Sequence, residues 1–298
     1  MQITIKRPEN WAKLKKGDFV SLICPASGLP QGDDLDKIGK LLQDKGLDCD
    51  CSELKNYNDG EIYLAASDEK RFASFKDAVL DDRSSVIFAL KGGYGSGRLG
   101  LRILSQLKSF DKLLVGFSDI TSLHLILNVC FRLPSLHGPT LRQIVDNRVD
   151  EQSVELLFGV LFGNQNQIAH EVFAFNDLAK DFDSQKIPKL IGGNLSLIES
   201  SIATPWGVEN AGEFCLLIEE VTERGYRIDR ALNHLINANC LRQCKVVFIG
   251  DVGQGEDVNR ALELFAGEVN LPVFRVKNVG HEMQNRAVIL GRELVFEK

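Results

Sequence analysis

No stretch of this 298-residue chain approaches the roughly 18 consecutive apolar residues of a membrane span. Its first twenty residues, MQITIKRPENWAKLKKGDFV, likewise have no apolar run behind their basic residues. The chain is therefore expected in the cytoplasm, with no membrane partner. Positive charge is not in excess: 35 Lys and Arg against 41 Asp and Glu leave a net charge of −6, and the basic residues are dispersed. That lacks the positive footprint a phosphate backbone requires, so no nucleic acid partner is expected. Cysteines at metal spacing are missing too. Cys24, Cys49, Cys51, Cys130, Cys215, Cys240 and Cys244 are odd in number and offer only C-x-C and C-x-x-x-C pairs. Several sit inside apolar runs such as FCLLI, which favours buried reduced thiols over a disulfide framework, and no metal site or cofactor is expected.

What is present is a globular composition, 44% hydrophobic and 26% charged, with 17 Phe outnumbering the 4 Tyr and 2 Trp together. The length is about twice that of a domain of roughly 150 residues, which suits two domains or one large α/β unit. Phe19 to Cys24 (FVSLIC) reads as a buried strand ending in the loop PASGLPQG, and Leu35, Ile38, Leu41 and Leu42 then recur at helical spacing until Gly46. Ser67, Asp68 and Glu69 open a second helix, and Ser85 to Leu90 is another apolar strand, running into KGGYGSGR. Leu113 to Val115 is a short strand, followed by the turn Gly116-Phe117-Ser118-Asp119 and a helix with Leu123, Leu127 and Cys130 on one stripe.

Such fully apolar strands alternating with helices imply an α/β fold with a mainly parallel sheet, in which ligands bind at the strands' carboxyl ends. Residues 164–188 are polar and weakly periodic, and read as a crossing loop between an N-terminal domain (1–163) and a C-terminal one (189–298). The pattern resumes with a helix from Asn194 to Ile202, strands at Phe214 to Ile218, Val246 to Ile249 and Val273 to Val276, and a final extended run AVILGRELVF.

KGGYGSGR fails both phosphate-loop templates: Arg98 stands where the dinucleotide fingerprint needs its last Gly, and the Gly-Lys-Ser/Thr of the P-loop is absent. Its glycines still leave backbone N–H groups open to a ligand, or simply make a flexible turn. HEMQN begins like a zinc-protease helix, but Asn285 replaces the second histidine. Ser118, between a short strand and a helix, has the setting of a nucleophile elbow, although Ile120 occupies the last Gly position of that motif. The same residue type also fits a helix N-cap. Of the five histidines, His124 and His234 lie in helical patterns, His170 in the crossing and His137 beside Gly-Pro; His281, in a loop after a strand, is the best candidate base. Strand 214–218 ends in Glu219-Glu220, which suits an orienting acid or a solvated pair. Ser118, Glu219 and His281 thus follow in the order nucleophile, acid, base, each near the end of an apolar strand, which favours a serine hydrolase.

KGGYGSGR, LVGFSDITSLH, LHGPT, IGGNLSLIESSIATPW, LLIEEVTERGYRIDR and GHEMQNRAVILG resemble, in order and spacing, the motifs of the LD-carboxypeptidase family of serine peptidases. That family includes murein tetrapeptide carboxypeptidases and microcin C immunity peptidases. The resemblance spans nearly the whole chain and implies a smaller C-terminal α/β domain, an active site in the groove between the domains, and a homodimer without metal. It implies Ser118 as nucleophile, Glu219 as acid and His281 as histidine, with the backbone N–H groups of Asp119 and Gly93 as oxyanion donors. Tyr94, Arg98 and Asn194 are candidate substrate-binding residues. Arg227 and Arg230 also lie near motifs, but suit structural pairing with Asp229 or other acids.

The implied activity is release of terminal D-alanine from murein tetrapeptides in peptidoglycan recycling. An immunity-type peptidase acting on peptidyl or aminoacyl nucleotides is the alternative, and a crossing-loop aromatic able to stack on a base would support it. Only Phe173, Phe175 and Phe182 stand there, none of them Trp, which favours murein. A small-molecule binder without chemistry is disfavoured by the filled triad positions.

Overall fold

The computed structural model describes residues 1–28, 33–57, 62–183 and 186–297, so part of the loop PASGLPQG lies outside the described residues. Among these residues are fourteen strands: β1 Gln2–Lys6, β2 Phe19–Ile23, β3 Asp48–Cys49, β4 Ser84–Ala89, β5 Leu113–Gly116, β6 Ser135–His137, β7 Gln167–Ala174, β8 Lys186–Ile187, β9 Leu190–Asn194, β10 Phe214–Glu219, β11 Cys244–Ile249, β12 Val273–Val276, β13 Val288–Leu290 and β14 Leu294–Glu297. They form two sheets.

The first sheet has the order β13-β6-β5-β4-β2-β3. Its strands from β3 to β6 pair in parallel, and β13 closes one edge antiparallel to β6. Successive residues of β4 enter different cores: Val86 and Phe88 pack in one, Ile87 and Ala89 in the other. That is why the strand reads as continuously apolar, since a parallel sheet is covered on both faces.

The second sheet has the order β8-β14-β1-β7-β12-β11-β10-β9, parallel from β9 to β12 and antiparallel from β12 to β8. In β10, Cys215 and Leu217 face one core and Phe214, Leu216 and Ile218 the other. Both cores therefore extend across both sheets, which packs the two halves against each other.

Three expectations need correction. The second sheet, expected to be the smaller, is the wider, because it recruits β1 from the N-terminus and β7 from the expected crossing loop. β7 is an eight-residue strand in which Ile168, His170 and Val172 are buried while Gln167, Ala169, Glu171 and Phe173 face outward. Its polar outward residues and inward histidine disguised the alternation of a strand with one solvated face. The run AVILGRELVF is two strands, not one: at Gly291 φ turns to +79°, sending β13 to the first sheet and β14 to the second.

The helix after β5 spans Thr121–Leu125 and loosens into a π-helical stretch, Ile126–Phe131. Leu123 and Leu127 are buried on it as their spacing predicts. Among the described residues, no helix is long and apolar enough to cross a membrane.

Candidate active site

The carboxyl ends of β4, β5, β9, β10 and β11 carry the residues that matter. β5 stops at Gly116, Phe117 is extended (φ −152°, ψ 161°), and Ser118 turns to φ +63° before the helix begins. A non-glycine residue held there costs about 1–3 kcal/mol and persists only where its surroundings force it. One such constraint is close by: a Cβ on Gly116 would meet Ile120 at 2.5 Å, so the turn closes only over glycine. No side-chain cap hydrogen bond forms at this helix start, so Ser118 does not take the capping role its position also allowed.

The glycine-rich turn after β4 lies directly over the serine. A Cβ on Gly92 would stand 2.9 Å from Ser118 Cβ and 3.2 Å from its Oγ. Gly93 and Gly95 have φ of +110° and +122°, conformations that a side chain would strain. The turn is fixed from three sides. Tyr94 N–H donates to Ser27 Oγ at 3.1 Å. The buried Asp119 carboxylate accepts from Gly95 N–H at 3.2 Å and Ser96 N–H at 2.8 Å, and burial pushes its carboxyl above the usual range despite these donors. The fully buried Arg71 donates to Gly95 O at 2.8 Å and Ala66 O at 3.0 Å, and also bonds Pro25 O and Asp68.

In the second sheet, Glu219 is the last residue of β10 and is fully buried. Its Oε2 bonds His281 Nδ1 at 2.7 Å. Burial raises the Glu219 carboxyl, opposed by the hydrogen bond and charge of His281. For His281 burial pulls the imidazole down, but the hydrogen bond and charge of Glu219, with Glu220 and Asp251 beyond, outweigh it and the pKa rises. The His281 ring packs on Phe117, with centroids 4.4 Å apart, which links the His-Glu pair to the residue before Ser118. No hydrogen bond between Ser118 and His281 is formed among the described residues.

The neighbouring Glu220 is not solvated. It is buried, and accepts from Asn194 Nδ2 at 2.8 Å, from Ser196 N–H at 2.9 Å and from Ser196 Oγ at 2.6 Å. The Asn194 side chain, a candidate for substrate, also caps the helix Leu195–Ser200 and is itself buried. Arg98 is likewise engaged, gripping Asp68 through Nε at 2.9 Å and Nη2 at 2.7 Å, so its guanidinium braces the glycine-rich turn. Tyr94 stays half exposed on the rim, edge-on to Tyr63 at 5.6 Å. Arg227 pairs with Glu223 at 3.2 Å rather than with Asp229.

Sequence reasoning took Gly92 only as one of the turn's glycines, and missed that the Asp119 carboxylate and Arg71 hold that turn. The doubled glycine in KGGYG was the one available signal, marking a backbone that something must approach closely.

These features can be set beside known proteins. The family described as LD-carboxypeptidase N-terminal domain matches residues 20–138, and its C-terminal-domain counterpart matches residues 188–295. The chain is 32% identical to a putative carboxypeptidase of Rickettsia conorii, over 92% of this chain and 86% of that protein. It is 30% identical to the probable murein peptide carboxypeptidase of Bacillus subtilis, over 93% and 88% of the two chains. Among solved structures it is similar to the muramoyltetrapeptide carboxypeptidase of Oxalobacter formigenes, with a TM-score of 0.76 at 21% identity over 94% and 95% of the two chains. It is also similar to the microcin C7 self immunity protein MccF, with a TM-score of 0.76 at 17% identity over 98% and 99%.

Proposed function

Because the chain belongs to the LD-carboxypeptidase family, we propose that it is a serine peptidase that cleaves the L,D-peptide bond releasing terminal D-alanine from murein tetrapeptides. The observation that carries this reading is the 2.7 Å bond between His281 and Glu219, set across from a serine in the left-handed conformation of an elbow. His281, oriented by Glu219, takes the proton of Ser118 Oγ as it attacks the scissile carbonyl. The same imidazolium then protonates the leaving D-alanine amine, and a water activated by His281 releases the acyl group. Backbone N–H groups of Asp119 and Gly93 hold the oxyanion, and the bracing of the glycine-rich turn by Asp119 and Arg71 fixes the second of them. With the Arg98 and Asn194 side chains engaged elsewhere, the half-exposed Tyr94 is the candidate left to meet substrate. The protein acts in the cytoplasm, in peptidoglycan recycling, as a homodimer.

The relative from Bacillus subtilis, named for murein peptides, supports this substrate class. The side chains of the expected crossing loop support it over a nucleotide conjugate. Phe182 packs edge-on against Phe274 and Phe296, at 5.9 and 5.2 Å, and Phe175 packs against the second core. Phe173 lies under Lys277 Nζ at 4.8 Å. Phe175 and Phe182 are thus packed into the fold, and the exposed Phe173 is covered by a lysine.

The test is mass-spectrometric detection of D-alanine from a murein tetrapeptide, with wild type and Ser118→Ala side by side. Release by the wild type alone is expected. Release by both would overturn the assignment of the nucleophile. No release by either, with Ser118 still labelled by a fluorophosphonate, would overturn the substrate and direct attention to nucleotide conjugates.

A further inference from the structure

His137 ends β6, and its register partner is Gly116, the last residue of β5. The ring therefore lies beneath the nucleophile turn, with centroids 4.9 Å from Phe117 and 5.6 Å from His124. It is fully buried, and neither ring nitrogen has a hydrogen-bond partner among the described residues. Glu219 Oε1 is also buried without one, and it lies 4.0 Å from His137 Nε2. Two buried polar atoms that face each other unsatisfied are costly on both sides, and a closure of about 1 Å makes one hydrogen bond of them.

The ring's other surroundings are close-packed. Both nitrogens of His124 are committed, to Ser135 Oγ at 2.8 Å and Gly116 O at 3.0 Å. On another side Gly193 comes so close that a Cβ there would stand 3.1 Å from His137 Cε1.

We propose that His137 is a positioning residue for the Glu219–His281 pair: its Nε2–H donates to Glu219 Oε1 and so keeps Oε2 aimed at His281 Nδ1. The proposal rests on the reading of Glu219 and His281 as members of a catalytic triad. An ionised carboxylate only accepts, so the ring nitrogen facing it carries the proton. Burial, and after it the proximity of His124 and His281, holds the His137 pKa well below the ordinary imidazole value. His137 thus supplies a hydrogen bond without a second positive charge, and Glu219 remains the counter-ion of His281. The other charged groups facing the pair are Glu220 beyond β10 and Asp251 beyond β11.

The first arm of the test needs no turnover. In wild-type protein labelled with ¹⁵N-histidine, His137 is expected as the neutral Nε2–H tautomer between about pH 5 and 8, a range that would titrate an ordinary histidine, and Glu219→Gln is expected to move its Nε2 resonance. The Nδ1–H tautomer, or an indifferent resonance, overturns the proposal. In the second arm His137→Phe lowers kcat about ten- to a hundredfold with little change in KM, as befits one lost hydrogen bond to a charged group. It also moves the acid limb of kcat/KM to higher pH, because a carboxylate without that donor holds the imidazolium more tightly. His137→Gln, with an amide donor, restores much of the rate. Wild-type kcat and pH profile in the Phe variant overturn the proposal, and if that variant does not fold the tautomer decides. If the wild type neither releases D-alanine nor is labelled at Ser118, the triad reading falls; turnover with the wrong tautomer sinks the role of His137 alone.

Discussion

Asp119 Oδ2 accepts the backbone N–H of Ser96 at 2.8 Å, and this joins the Ser118 turn to the glycine-rich turn as one unit. The residue after Ser118 thus secures the opposite wall of the site with its side chain. Asp119→Asn keeps the size but turns an amide N–H₂ toward at least one of two backbone donors. It is expected to cost about 1–3 kcal/mol in stability, the penalty of leaving a buried partner unpaired. If Gly93 N–H holds the oxyanion as proposed, its drift should lower kcat about ten- to a hundredfold with KM little changed. Denaturant unfolding and steady-state kinetics on one preparation test both parts, and an unchanged kcat would count against the bracing role.

Gly92 offers a sharper steric test. A methyl group there would sit 2.9 Å from Ser118 Cβ and 3.0 Å from Phe117 O, closer than carbon atoms tolerate. Gly92→Ala should therefore push the serine aside, with an overpacking cost of about 1–3 kcal/mol. The decisive readout is the rate of fluorophosphonate labelling at Ser118. A folded variant labelled as fast as wild type would show that the contact relaxes without reaching the serine.

How much of this was visible beforehand depends on which interactions a pattern can carry. β4 and β10 were legible because a strand covered on both faces must be apolar throughout, and Glu219 and His281 stood out as titratable residues where such strands end. β7 was not, because its inward set of Ile168, His170 and Val172 is short and mixed, and its polar outward residues resemble a linker. Nor does a sequence show how a polar side chain is used up. Arg98 and Asn194 looked available for substrate, and only the tertiary structure sets Asp68 beside one and Glu220 beside the other. Arg71 gave no signal either: a buried arginine holding three backbone carbonyls reads, in sequence, like any charge on a helix.

With His281 as the proposed base, the pH dependence of activity follows from its surroundings. Its pKa is raised because the Glu219 carboxylate outweighs burial, so the free enzyme carries an imidazolium to a higher pH than an ordinary histidine, about 6.5. A general base must be neutral to act, so kcat/KM is expected to rise with pH through a value above that reference. Glu219→Gln removes the main cause of the rise and leaves burial, which acts the other way. Its limb should move to lower pH while kcat falls by up to about 10⁴-fold. A wild-type limb below the ordinary imidazole value would contradict this account of the pair.

Stability should respond to pH through different histidines. Burial holds His124 and His170 down at about 4, so both are neutral in the folded protein where the unfolded chain protonates them. Between about pH 6.5 and 4 the unfolded state binds more protons, so folding stability falls as the pH falls. Each histidine contributes a slope of roughly 1.4 kcal/mol per pH unit once the pH is well below 6.5. His137, which burial also holds well below the ordinary imidazole value, adds to the same trend. Replacing His170 with Leu, which needs no proton in either state, should flatten the dependence by about one histidine's share. Urea unfolding at intervals across that range measures the slope directly. Equal slopes in wild type and variant would mean that His170 accepts its proton without unfolding, and the strand it anchors, β7, would then have to open to water on its buried face.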